Sequence, residues 1–290
     1  MTTFVQALVG GLSEGSIFAL LALGLALVYR STTVLNFSHG INFTLGAFFA
    51  LVVTQHLGLP LWLTGIVAIA AVFVFGVVTE RLVMEPLMQA DHLSQVFATI
   101  AVLFIGQGVV RYFLTVPTRL PPLLGADAIR VGGVALNRQY IASITVMLLV
   151  TALVTYLFRY TAVGRILRST TQSLRGAALV GIDTRRVFLI TWAAAAALGG
   201  IAGLLAGPIY LVSADMGTRA LILAFAGMTL GGFGSIPGAV VGSLIVGLTG
   251  VFAATYVSTT FGDAAGFALI LLVLVFRPQG IFGTPGEELV

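Results

Sequence analysis

An all-α, polytopic transmembrane helical bundle is the fold class this sequence predicts, and three observations predict it. Of 290 residues, 59% are hydrophobic and 8% charged, with a mean hydropathy of +1.10. A soluble domain carries roughly 25% charged residues, so this chain cannot cover a water-facing surface. Its apolar residues come in runs, some about 20 residues long, the length a helix needs to cross a bilayer, and they lack the alternation of a β-barrel. The third observation is the 35 glycines, which in lipid let helices approach closely and let them break. Residues 1–290 therefore read as a single transmembrane domain with broken or re-entrant helices.

In chain order, residues 1–12 lack the basic n-region of a signal peptide, the first Arg being Arg30. An apolar helix follows over 4–29, with the carboxylate of Glu14 inside it. Residues 30–40, RSTTVLNFSHG, form a polar, helix-poor break. A second helix covers 41–57, and Pro60 opens a third that runs to 78. Residues 80–95 read as a short polar connector containing Pro86. A fourth helix spans 96–114. The loop 116–139 holds three prolines and the segment IRVGGVALNR, whose alternation around Gly132-Gly133 predicts a small β-hairpin. A fifth helix spans 140–158 and a sixth 187–212. Residues 220–231 are apolar but too short for a full crossing, and they end in GGFGSIPG. Helices over 239–256 and 264–276 precede a polar tail. That makes eight or nine crossing or partly crossing segments.

Between the fifth and sixth helices lies the stretch 159–188, which carries six of the fourteen basic residues and one acid, Asp183. Basic loops are retained in the cytoplasm. With 159–188 inside, 80–95 is also inside, 116–139 is outside, the N-terminus is outside and the tail is inside. Two polar or Gly-containing breaks, 30–46 and 227–242, each lead into a helix. Such pairing is the mark of an inverted repeat with a pathway at the repeat interface.

The chemistry is bounded by absences. There is no lysine, hence no GxxxxGK(S/T) phosphate loop, and no cysteine. Three scattered histidines, His39, His56 and His92, supply no local metal motif, and no GxSxG elbow occurs. The basic residues do not form a groove with interleaved aromatics, so no nucleic acid is expected. These absences argue against an enzyme and predict no cofactor or metal. Asn36, His39 and Asn42 are candidates to line a polar break; their alternative role is to cap a helix start. Gly231, Gly232, Gly234 and Pro237 form a gate or a tight turn. Glu14 lines a pathway or sits at the outer interface, and Arg111, one turn from the outer end of its helix, is placed to snorkel to headgroups. In the basic loop, residues 164–174 predict a short helix with Arg165 and Arg168 on one face. Leu174, Ala177, Ala178 and Leu179 add a small apolar patch, ended by Gly181 as a C-cap with Ile182 as its hydrophobic contact. That patch seats in a partner's groove or is merely a solvated loop.

At this point the residues carry a resemblance. GRILRSTTQSLRGAALVGID resembles the coupling stretch of permeases from branched-chain amino-acid ABC importers. GLSEGSIFALLALGLALVYRSTTVLNFSHG, ERLVMEPL, GGFGSIPGAVVGSLIVG and FRPQGIFG agree in the same order, over nearly the whole chain. The resemblance implies an inner-membrane permease subunit without ATPase activity of its own. It implies two cytoplasmic ABC ATPase subunits, a second permease chain, identical or different, and an external solute-binding protein that delivers an amino-acid-like substrate. It places the ATPase-coupling contacts on Gly164, Arg165, Leu167, Arg168, Ala177, Ala178, Gly181, Ile182 and Asp183. Three positions depart from the family's pattern: Glu14 where an apolar residue is usual, Glu85 where a basic residue is common, and Ser173-Leu174-Arg175, which lacks the usual acids. The function implied is translocation of branched-chain or related small amino acids by alternating access. An ABC permease for urea or short amides remains open, as does an ion- or proton-coupled transporter acting alone, for which Glu14 would be essential. A passive channel is a further reading, and it would pass solute without ATP or an ion gradient.

Overall fold

Runs of apolar residues bounded by polar ones form helices here because a backbone in lipid must satisfy its own hydrogen bonds. The computed structural model describes residues 2–122, 125, 128–131, 134–277 and 279–282. The helices are α1 (Thr2–Thr32), α2 (His39–Leu57), α3 (Leu61–Thr79), α4 (His92–Phe113), α5 (Arg138–Tyr160), α6 (Ala162–Gln172), α7 (Leu174–Leu179), α8 (Thr184–Ala206), α9 (Met216–Gly231), α10 (Ile236–Tyr256) and α11 (Phe261–Phe276). Seven of the described helices are long and apolar enough to cross a bilayer: α1 to α5, α8 and α10. Two more, α9 and α11, are apolar but shorter. The protein is an all-α polytopic bundle. Among the described residues, sheet is confined to two antiparallel pairs: β1 (Thr118–Arg119) with β4 (Leu211–Val212), and β2 (Ala128–Val131) with β3 (Val134–Asn137). The second pair is the hairpin expected over 129–138; its Gly132-Gly133 turn lies outside the described residues.

Several helix boundaries differ from expectation, and three of them have a clear local cause. The connector 80–95 begins helically: α3 runs on into a π turn, Glu80–Met84, closed by Glu85 N–H donating to the Glu80 carbonyl at 2.7 Å. At the start of α4, Asp91 accepts from Ser94 N–H at 3.1 Å, so the helix starts four residues earlier than the apolar run alone indicates. α8 stops at Ala206 rather than 212, because Pro208 has no N–H to offer and Leu211–Val212 pair with Thr118–Arg119 instead.

α1 is the spine. Gly11 and Gly15 lie against the backbone of Leu248 and Leu244 on α10, which is therefore antiparallel to it. This is small-residue packing, which lets backbones meet where lipid offers no hydrophobic force between helices. α3 and α8 make the corresponding antiparallel pair, with Gly65 on Leu204 and Gly76 on Ala193 and Ala196. α2 runs parallel to α8, with Phe43 on Gly203 and Ala47 on Gly207. α9 and α10 form a hairpin closed by Gly231 on Gly238 and Gly227 on Ser243. The bundle is thus two four-helix halves of opposite sense, α1–α4 and α8–α11, joined by α5 and the basic segment.

Their equivalent breaks are not the pair the sequence suggested. The counterpart of the break before α2 is the segment 207–215 before α9, not residues 227–242. The two helix starts meet: a Cβ on Gly217 would overlap the Gly40 carbonyl oxygen, and Gly217 N–H donates to Thr44 Oγ1 at 3.1 Å.

Sidedness is consistent throughout. Gln6 at the start of α1 bonds the carbonyl of Ala135 in the hairpin. At the opposite end, Tyr29 packs on Phe233 with ring centroids 5.4 Å apart, and Arg185 pairs with Glu85 at 3.3 Å. The N-terminus and hairpin therefore share one face. The α1 end, the 80–95 connector, the basic segment and the α9–α10 turn share the other.

Candidate functional site

α2 does not start at a membrane surface. His39 Nε2 lies 3.0 Å from the carbonyl of Leu21, which is 11 positions before the α1 end at Thr32 (32 − 21). At 1.5 Å per residue the chain has climbed about 16 Å back into the bundle before α2 begins. The irregular backbone there is buried in protein and supplied with partners, as it must be at that depth. Phe37 N–H donates to Thr99 Oγ1 at 3.1 Å, and Ser38 Oγ donates to Asn36 Oδ1 at 2.6 Å. His39 is fully enclosed between Gly24 and Gly199, where any side chain would strike its ring. Since a carbonyl only accepts, Nε2 carries the proton and Nδ1 accepts from Asn42 Nδ2 at 3.4 Å. Asn42 Oδ1 is buried without a partner. Asn36, His39 and Asn42 are thus gathered in one polar knot beside the Gly40–Gly217 crossing.

The other predicted gate residues are elsewhere. Gly231, Gly232, Gly234 and Pro237 form the tight α9–α10 turn, with Gly232 and Gly234 at φ 102° and 73° and Ser235 capping α10 by accepting from Gly238 N–H at 3.2 Å. The C-terminal segment lies over this turn, Ile281 N–H bonding Leu230 O at 2.8 Å and Phe282 N–H bonding Gly231 O at 3.0 Å. The structure does not bring these glycines to the 36–42 knot.

Two ion pairs flank the first turn of α9. Arg111, at the outer end of its helix, pairs with Asp215 at 2.8 and 2.9 Å. On the other side Arg219 lies 3.7 Å from Glu14, which also accepts from the Tyr210 hydroxyl. Glu14 borders a cavity of about 500 Å3 on the hairpin side, together with Gln6, Asn137, Tyr140 and Tyr210. Asp215, like Glu14, is a paired carboxylate. The segment Ser213-Ala214-Asp215-Met216-Gly217, with polar Ser213 and Asp215 ahead of a glycine, echoes Asn36-Phe37-Ser38-His39-Gly40, the sequence signal that would have located the second break.

On the basic side, α6 and α7 hang between α5 and α8. Gly164 is buried so close to the end of α5 that a Cβ would strike the Phe158 carbonyl, and Leu167 and Ala177 are also buried. Arg165, Ala178, Gly181 and Asp183 are exposed, with Ile182 half-buried. Arg168 turns back from Arg165's face and donates to the Phe158 carbonyl at the end of α5. Asp183 caps α8, accepting from Arg186 N–H at 3.2 Å. The C-cap is as expected: Gly181 has φ 83°, its N–H bonds Ala178 O, and Ile182 N–H bonds Ala177 O, each at 3.0 Å. This Schellman turn holds out Leu179, already part of the expected apolar patch, and Val180, which the sequence reading did not single out; they are 88% and 75% exposed.

With that geometry in hand, comparison with known proteins decides the family. The family described as "Branched-chain amino acid transport system / permease component" matches residues 7–276. The chain belongs to this permease family. Curated relatives agree over almost the full length of both chains. The permease is 33% identical over a 307-residue alignment, covering 99% of it and 98% of the relative, to the high-affinity branched-chain amino acid transport system permease protein LivH of Escherichia coli K12. It is 32% identical over 301 residues, with the same coverage, to BraD of Pseudomonas aeruginosa. A probable branched-chain amino acid transport permease protein of Methanocaldococcus jannaschii is 27% identical over 299 residues, covering 97% and 93%. Among solved structures, PsaBC from Streptococcus pneumoniae in complex with Fab matches with a TM-score of 0.52 at 12% identity, over 96% of the permease and 93% of that chain. That likeness concerns the fold alone.

Proposed function

We propose that this multi-pass permease is the membrane-spanning subunit of an ATP-driven importer in the bacterial inner membrane. It would move branched-chain or related apolar amino acids inward by alternating access. Two cytoplasmic ABC ATPases supply the work, a second permease chain completes the passage, and an external binding protein delivers the solute. The substrate class follows the relatives' names. The observation that carries the mechanism is the α7 tip. An apolar pair, Leu179-Val180, stands almost fully exposed on a six-residue helix fixed by two caps, on the basic face of a bundle whose sequence has no nucleotide loop. Exposed apolar side chains on a rigid, small-residue helix fit a groove on a soluble partner. Closure of the ATPases would then push α6 and α7 against α5 and α8, and so tilt the helix starts that meet at Gly40 and Gly217.

The test is capture of the ATPases by tagged permease from cells expressing the whole gene cluster. Leu179→Glu is expected to abolish capture and ATP-dependent uptake, with thermal unfolding of the permease unchanged because the side chain is 88% exposed. Normal capture would move the docking surface elsewhere. Asn36→Ala and Asn42→Ala test the polar knot in the same assay: uptake unaltered in both removes these side chains from the pathway. An ion-coupled transporter acting alone would instead lose activity in Glu14→Gln and need no ATPase.

A further inference from the structure

On the basic face a second cavity of about 450 Å3 opens between the end of α1, the π turn after α3, the start of α4 and the α6–α7 junction. Its volume lies within the range of small-molecule sites. Val34, Met84, Met88, Phe188 and Trp192 give it an apolar wall. Glu80, the first residue of the π turn, borders it while only 2% exposed, and no described hydrogen bond or ion pair engages its carboxylate. Arg30 stands at the rim. The charges that act on this carboxylate are Arg81 beside it in the chain and Glu85, whose like charge opposes it, so a further cation offered by a ligand in the cavity would be favourable. π turns, which put one extra residue into a helix, recur at functional sites. The remaining boundary is Thr170, Thr171, Gln172 and Ser173, the joint between the two helices of the basic segment.

We propose that this cavity is a cytoplasmic site for a free α-amino acid with an apolar side chain, which brakes the importer when its product accumulates. The ammonium goes to Glu80, the carboxylate to Arg30 and the side chain to the Met84–Trp192 wall. So held, the ligand ties the α6–α7 joint to α1 and the π turn and resists the displacement that ATP closure imposes. The braking part rests on the proposed import function; the binding part does not. Each can fail separately.

The chain has two tryptophans, Trp62 and Trp192. Trp62 is exposed at the far end of α3, and Trp192 is buried in the cavity wall. Full-length permease carrying Trp62→Phe, in nanodiscs, is titrated with L-leucine while Trp192 fluorescence is followed. A saturable change is expected. Isoamylamine, which keeps the ammonium, should bind more weakly, and isocaproate, which lacks it, should give no saturable signal. Glu80→Gln should weaken leucine binding roughly tenfold or more, the worth of one charge-assisted hydrogen bond. Arg30→Gln should weaken leucine but not isoamylamine, which keeps the test valid if Glu80→Gln folds poorly. A Trp192 signal that does not saturate with leucine, or equal binding of isocaproate, overturns the site. In the reconstituted importer, leucine preloaded on the ATPase side should slow uptake severalfold, and Glu80→Gln should relieve the slowing. Unchanged uptake rates in the wild type would overturn the brake. Saturable binding in a complex that imports no leucine would instead overturn the function proposed above.

Discussion

Gly203 lies so close to α2 that a Cβ there would overlap the Phe43 carbonyl oxygen. Backbone cannot yield as a flexible side chain can, so Gly203→Ala must push α2 away from α8. Overpacking of this kind costs about 1–3 kcal/mol. The melting temperature of purified permease, followed by fluorescence or by loss of the monodisperse peak on heating, is expected to fall by several degrees. Gly108 is the control. It sits within α4 with open space around it, so Gly108→Ala should leave the melting temperature unchanged or raise it, since Ala favours a helix. The abundance of glycine was visible in the composition, and its use in close helix contact was foreseen. Which glycines are in contact was not, because packing partners such as Gly203 and Phe43 are 160 positions apart (203 − 43). His39 shows the same limit. Its place beside a break was legible, but its enclosure between Gly24 and Gly199 was not.

At the level of elements, caps govern where helices start and stop. Asp91 accepts from Ser94 Oγ at 2.7 Å and from Ser94 N–H at 3.1 Å, and these bonds hold its carboxyl below the ordinary carboxylate value. A depressed carboxyl stabilises the folded state above the unfolded value, about pH 4. The contribution is lost as pH falls through the lower folded value. Amide exchange at the first turn of α4 should therefore speed up, beyond its intrinsic pH dependence, below about pH 4 in the wild type. In Asp91→Asn, whose amide oxygen caps without titrating, that extra acceleration should be absent. The Schellman end of α7 was readable from Gly181, and the tight turn before α10 from the glycine-rich run and Pro237; the Ser235 cap was not foreseen. The end of α8 was misjudged, because apolarity continues through Leu211 and Val212 while their hydrogen bonds go to β1. Periodicity reports which residues avoid water, not which strand takes their backbone.

For the molecule as a whole, sidedness is the prediction to check, and the absence of cysteine makes it clean. Thr171→Cys, at the α6–α7 joint, should react with a membrane-impermeant maleimide only in inside-out vesicles. Thr3→Cys, at the start of α1, should react only in right-side-out cells. Reversed labelling would overturn the orientation drawn from arginine, and with it the assignment of α7 to the ATPases. By itself the sequence determined the solvent, the run of apolar segments, the clustering of arginine between the fifth and sixth helices and the family, because each depends on local composition or short contiguous motifs. Tertiary structure alone decided that the equivalent breaks precede α2 and α9 and that their first turns meet at Gly40 and Gly217. It also decided that Arg111 holds Asp215, and that Glu80 faces a cavity. These are pairings between distant segments, fixed by close packing and by the need of every buried polar group for a partner, and no single stretch of chain contains both halves of such a contact.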